Sequence, residues 1–161
     1  MEGAPRRSFQ FDDANRGIID IISDMKYISL DLGSVTCGIA KSDTGLLAQP
    51  VKTIRFRPDD YNDAIDKILE FLEKEKPDLV VMGYPLLESD DEGERAQICR
   101  EVGEYIEQES GIRVVLQDER YTTKDSEAFL IQADLSRKKR KKVIDQQAAV
   151  RILEYYLEKV R

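Results

Sequence analysis

The hydrophobic period of this chain changes at Pro58, and that change restricts the fold more than any single residue does. Before it, "KYISLDLG" alternates Ile28, Leu30 and Leu32 with Tyr27, Ser29 and Asp31, a strand period over 26–32. "TCGIAKS" (36–42) and "LLAQPVKTI" (46–54) read as two more strands, with "SDTG" as the turn between them. After Pro58, Ala64, Ile65, Ile68, Leu69 and Leu72 recur at i, i+3/i+4 spacing, so a helix is expected over 60–75, stopped by "KP". "DLVVMG" (78–83) is a continuous apolar run, as in a buried central strand, and "IRVVLQDE" (112–119) is another. Between them 92–110 reads as a helix closed by Gly111 at its C′ position. Residues 123–134 read as a helix capped by Thr122 or Thr123, 135–142 as a basic loop, and 143–160 as the last helix.

The order β-β-β-α-β-α-β-α-α predicts an α/β domain: a mixed five-stranded sheet flanked by helices on both faces. Residues 1–24 have no periodic partner before "GIIDIIS" and read as an N-terminal extension or leader, which leaves 25–161 as a single domain. No apolar run approaches the roughly 18 residues that a membrane span needs, and "MEGAPRRSFQFDD" lacks the apolar core of a secretory leader. Cys37 and Cys99 have no metal-site spacing, and free thiols suit a cytoplasmic location.

Histidine is absent altogether. That excludes Ser-His-Asp and Cys-His catalysis and every His-ligated zinc site, leaving carboxylates, Lys, Tyr and Cys for any acid–base or metal chemistry. Sites in open α/β sheets form outside the carboxyl ends of the parallel strands. The first strand ends in Asp31-Leu32-Gly33 and the fifth in Asp118-Glu119-Arg120. The last helix carries an apolar stripe through Ala149, Ile152 and Tyr156, and one turn before Ala149 stands Asp145. An acid on an inward stripe is unfavourable unless paired or bound to a cation. Asp31, Glu119 and Asp145 could therefore converge, and three carboxylates together invite Mg²⁺ or Mn²⁺, since oxygen donors favour hard cations.

Each of these residues has an ordinary alternative. Asp31 could shape a turn, and Asp145 could be a first-turn acid favoured by the helix dipole. Asp118 and Glu119 point to opposite faces, and periodicity does not choose between them. Charge patterning adds a further clue. The net charge is −7, yet "LSRKKRKK" (135–142) carries +6, residues 1–24 carry −2, and the remainder carries −11. A block of like charge is ordinarily a solvated loop. Placed just before Asp145, Arg137, Lys138, Lys139, Arg140, Lys141 and Lys142 are better read as phosphate contacts.

"YISLDLGSVTCGIAKSD", "VVMGYPLLESDDEGERA", "LQDERYTTKDSEAFL" and "LSRKKRKKVIDQQAAVRIL", in that order over about 25–160, resemble the YqgF family. These are bacterial RNase H-like proteins described both as Holliday junction resolvases and as pre-16S ribosomal RNA nucleases. The resemblance implies an RNase H-like fold, selects Glu119 over Asp118, and places Asp31, Glu119 and Asp145 at the family's acidic positions. Arg120, Thr122 and Thr123 belong to the same "DERxTT" stretch and are implied nucleic-acid contacts, with Gly33 turning the chain so that a phosphate can approach. Mg²⁺ or Mn²⁺ held by the acids would activate a water against a phosphodiester. The implied partner is precursor rRNA or branched DNA, met by a monomer or a homodimer. Two stretches depart from the family's habit: Val35–Cys37 after the first motif, and "PLLESDDEG" where "PLNMDG" is common. Two other classes fit parts of the sequence. An actin-like kinase fold also opens on a strand ending in DxG, but needs two such domains, and a non-catalytic nucleic-acid-binding module could keep the fold alone.

Overall fold

A computed structural model describes residues 25–119 and 137–160, and of 137–146 the backbone alone. Alternation along the first strand, Tyr27–Leu32 (β1), feeds two separate cores. Ile28, Leu30 and Leu32 enter one of them, while Tyr27 enters the other. The remaining strands are Thr36–Ser42 (β2), Gln49–Arg55 (β3), Leu79–Tyr84 (β4) and Val114–Asp118 (β5). The helices are Tyr61–Glu75 (α1), Glu94–Ser110 (α2) and Arg137–Val160 (α3). The sheet order is β3-β2-β1-β4-β5. β1 pairs antiparallel with β2, and β2 with β3, whereas β1–β4 and β4–β5 are parallel. Short turns suffice for the antiparallel pairs, and helical crossovers carry the parallel ones.

The first core packs α1 and α2 against one face, through Ile65, Ile68, Phe71, Leu72, Cys99, Val102 and Ile106. The second packs α3 against the opposite face, where Ala149, Val150, Ile152, Leu153 and Leu157 meet Tyr27, Ala40, Leu79 and Val81. Helices thus cover both faces, as the alternating order requires. Local chemistry sets the helix ends. Asp60 caps α1 by accepting from the Asp63 N–H at 3.1 Å. Gly111 ends α2 with φ 74°, its N–H on the Glu107 carbonyl at 2.9 Å.

Several expected bounds shift. β3 starts at Gln49, and Leu46 and Leu47 lie outside it, 62% and 65% exposed. α2 begins at Glu94 after an extended Gly93, so Glu92 belongs to the preceding loop. β5 stops at Asp118, which leaves Glu119 just beyond the strand. The largest correction concerns "RKKRKK", read as a loop: its backbone is helical from Arg137. Lys and Arg are good helix formers, and each residue added to an existing helix gains a backbone hydrogen bond. The expected helix over 123–134, residues 1–24, and Arg120, Thr122 and Thr123 lie outside the described residues.

Candidate active site

Three parallel strands bring their carboxyl ends to one edge of the sheet. The last paired rung between β1 and β4 is Leu30 with Met82, and one step beyond it stand Asp31 and Gly83. Across β4, Tyr84 pairs with Asp118, and the Glu119 N–H then donates to the Tyr84 carbonyl at 3.3 Å. Asp31 shares the face of Tyr27 and Ser29, the face that α3 covers. Buried Ser29 fixes that covering helix, since its Oγ donates to the Ala149 carbonyl at 2.6 Å. Glu119 reaches the same face, because the space above Gly83 is bounded by Glu119 Oε1 and by Ile152 Cδ1 of α3.

Asp31 and Glu119 therefore meet. The Glu119 carboxyl is pushed up to about 9, first by burial, then by the Asp31 charge and by the hydrogen bond between the two side chains. At neutral pH Glu119 keeps its proton and donates it to Asp31. Asp118 adds slightly to the rise and the Arg95 charge opposes it. One oxygen of the pair, Glu119 Oε1, is buried without a hydrogen-bond partner among the described residues. An orphaned buried oxygen carries a desolvation cost unless a ligand satisfies it. Two carboxyls sharing a proton, one oxygen uncommitted, and only oxygen donors are what a hard divalent cation would replace the proton to occupy, so the residues fit such an ion. Among the described residues no three His, Cys, Asp or Glu form a cluster. Asp145 lies on the backbone of α3, one turn ahead of the Ala149 that Ser29 holds. Its side chain, like those of Arg137, Lys138, Lys139, Arg140, Lys141 and Lys142, lies outside the described residues.

Arg95 was not legible as a site residue. From the first turn of α2 its Nη2 donates to the Leu32 carbonyl at 2.9 Å and its Nη1 to the Tyr61 hydroxyl at 2.7 Å. It thus ties the end of β1 to two helices beside the acids. Gly33 closes the β1–β2 turn, its N–H on the Thr36 carbonyl at 2.7 Å. Cys37 and Cys99 are both free and buried; burial raises both thiols, Cys99 to about 12, and the charges of Asp31 and Glu119 add to this. Neither is a nucleophile in that state. In the departing loop, Tyr84 donates to Glu92 at 2.8 Å and Arg100 Nε donates to the same carboxylate at 2.8 Å, so the end of the acidic segment is held from both β4 and α2.

A mixed sheet in the order 3-2-1-4-5, helices on both faces and an acidic pair at the ends of the first and fifth strands define an RNase H-like protein. Thermus thermophilus RuvC in complex with a Holliday junction substrate has the same fold, with a TM-score of 0.57, 15% identity, and coverage of 84% of this chain and 96% of that one. The family model for RuvX, described as Holliday junction resolvase, matches residues 25–159, and the chain belongs to that family, the YqgF family by its other name. A relative from Oceanobacillus iheyensis is 42% identical over 135 residues, covering 83% of this chain and 98% of its own length. Another, from Desulfitobacterium hafniense, is 41% identical over 138 residues, covering 85% and 94%. Both carry the name "Putative pre-16S rRNA nuclease".

Proposed function

We propose that this protein is a divalent-metal-dependent nuclease that hydrolyses phosphodiester bonds in structured nucleic acid, and that it trims the 5′ end of precursor 16S rRNA. The observation that carries the reading is the half-buried Asp31–Glu119 pair at the carboxyl ends of β1 and β5, with Glu119 Oε1 buried and without a hydrogen-bond partner among the described residues. The names of the curated relatives support the substrate. Asp31 and Glu119, with Asp145 from α3, would hold Mg²⁺ or Mn²⁺. A cation held there supplies positive charge to the phosphoryl oxygens and acidifies the attacking water.

The chain's own groups do the rest. Asp31 is presented rigidly, because β1 is paired on both sides and Arg95 holds the next carbonyl. Glu119 would give up its proton when a cation binds, and among the described residues its Oε1 has no hydrogen-bond partner. α3 closes the face and excludes water from the sheet side of the acids. Arg120, Thr122 and Thr123 are proposed contacts to the substrate, and the cationic start of α3 a phosphate-binding rim. Among the described residues no helix is long and apolar enough to cross a membrane, and we place the protein in the cytoplasm.

The test is Asp31→Asn. Cleavage of precursor rRNA in Mg²⁺ or Mn²⁺ should fall to background while the metal-free protein still melts cooperatively, because an amide oxygen at position 31 can still accept the Glu119 proton. Undiminished cleavage by that variant would sink the assignment. The description of the family model favours a second substrate, a four-way DNA junction. A resolvase cuts two strands symmetrically and should act as a dimer. Parallel assays on both substrates, with solution mass measured on the junction, separate the two readings.

A further inference from the structure

Strand β4 runs Leu79-Val80-Val81-Met82 and then inserts Gly83 before Tyr84. Glycine inside a strand is unfavourable, since it has the most backbone freedom to lose and no side chain to pack. The backbone does not call for it: the positive-φ glycines among the described residues are Gly45 and Gly111, and Gly83 pairs regularly with Gln117. Space calls for it instead. A Cβ at Gly83 would stand 2.6 Å from Glu119 Oε1, 3.0 Å from Glu119 Cδ and 2.7 Å from Ile152 Cδ1, where ordinary contact begins at 3.4 Å. The first two atoms belong to the acid proposed as a metal ligand, and the third to the helix that carries Asp145.

We propose that Gly83 is a positioning residue for Glu119: the missing side chain leaves a notch in β4 that seats the Glu119 carboxyl between the sheet and α3, level with Asp31. The seating stands on geometry alone, and its consequence for metal binding rests on the function proposed above. The bond to Asp31 holds the Glu119 carboxyl on one side, and among the described residues Oε1 on the other side has no hydrogen-bond partner. The notch therefore sets where that oxygen sits, and a methyl group there displaces it.

A metal-free thermal cycle tests the seating. In chelator, Gly83→Ala should melt cooperatively but a few degrees lower than the wild type. Most of that loss should vanish when Glu119→Ala is already present, because the Cβ then meets no carboxyl. If Gly83→Ala does not fold, the double variant should. A melting temperature unchanged by Gly83→Ala overturns the proposal. So does a loss relieved by Ile152→Ala and untouched by Glu119→Ala, which would make the glycine a helix-packing device. Calorimetric titration with Mn²⁺ then tests the consequence: affinity should weaken by about tenfold to a hundredfold in Gly83→Ala, and wild-type affinity in that variant overturns it. A wild-type protein that neither binds Mn²⁺ nor cleaves nucleic acid overturns the nuclease reading, and the metal-free cycle still decides the seating of Glu119.

Discussion

Glu119 is neutral in the folded, metal-free protein at the pH where an unfolded chain would have ionised it. Its carboxyl titrates at about 9 in the fold against 4.5 for an unperturbed Glu. Between those values the unfolded state binds fewer protons, so this group makes stability fall as pH rises. Its favourable contribution is complete below about 4.5 and is lost as pH climbs through about 9, at up to about 1.4 kcal/mol per pH unit. Half-buried Asp63 and exposed Glu92 titrate below the ordinary carboxylate range; their contribution disappears as pH falls, which confines it to the acid side. Urea unfolding in chelator at pH 5 and pH 8 should therefore show a marked loss for the wild type and a much flatter response for Glu119→Gln. Equal losses in both proteins would refute the shared-proton arrangement. Mn²⁺ at pH 8 should restore stability to the wild type, since a ligand for the folded state stabilises it. Asp31 and Glu119 were legible in the sequence because acids at strand ends stand out against apolar runs. The choice of Glu119 over Asp118 came from the family resemblance; in the fold, Val115 packs toward α3 while Val114 and Leu116 pack toward the other core, so alternation carries Glu119 to the α3 face. Gly83 and Arg95 were not legible as site residues, because a close approach between β4 and α3, or a reach from α2 to a β1 carbonyl, depends on tertiary placement that no local period records.

At the scale of elements, α3 covers the face that carries Asp31 and Glu119, and Ser29 ties it to the sheet. Ser29 and Ala149 are both fully buried, and the 2.6 Å bond between them joins the α3 backbone to the strand position two residues before Asp31. Ser29→Ala removes the donor while nearly conserving volume. Since the Ala149 carbonyl also lies within a helix, the loss should be about 1 kcal/mol, or a melting temperature about 2–4 °C lower. Differential scanning calorimetry in chelator measures it, and an unchanged melting temperature would show that apolar packing alone holds the helix. Ala148 and Ala149, both fully buried, let α3 come close to the sheet. The sequence misplaced the start of the same helix. Apolar spacing fades before Val143, and a row of cations at a helix N-terminus opposes the macrodipole, so the charge pattern pointed to a loop. Helix propensity points the other way, and the backbone follows it from Arg137. The strands were read well because each is bounded by Gly, Pro or a change of period. β3 was the exception: its apolar start at Leu46 and Leu47 mimics a strand but lies in the exposed turn.

Across the whole molecule, charge is distributed against simple nucleic-acid binding, and that makes the exception testable. The chain carries −7 overall, and the β4–α2 loop that leaves Tyr84 carries Glu88, Asp90, Asp91 and Glu92, the last bonded to the Tyr84 hydroxyl. The cations concentrate at the start of α3, in the stretch that leads to Asp145. A polynucleotide approaching the acids would then be repelled from the β4–α2 side and drawn to the α3 side, which orients it across the proposed site. Six consecutive positions on a helix turn through more than a full circle, so a single nucleic-acid surface engages only some of them. Binding to the Asp31→Asn protein, expected to be inactive, followed by fluorescence anisotropy over a range of salt concentrations, isolates this term from cleavage. Replacing Lys138, Lys139 and Arg140 with Gln in that background should weaken affinity at low salt for RNA hairpins and four-way junctions alike. Removing one cation–phosphate pair should reduce the slope of log K against log salt by about 0.7–0.9, so the slope should become shallower by roughly one to three. Uniform weakening across sequences is expected of phosphate contacts, because they position the substrate without reading bases. Unchanged affinity at low salt would show that the cationic turn of α3 stays in solvent, and would leave Arg120, Thr122 and Thr123 as the remaining proposed contacts for the substrate backbone.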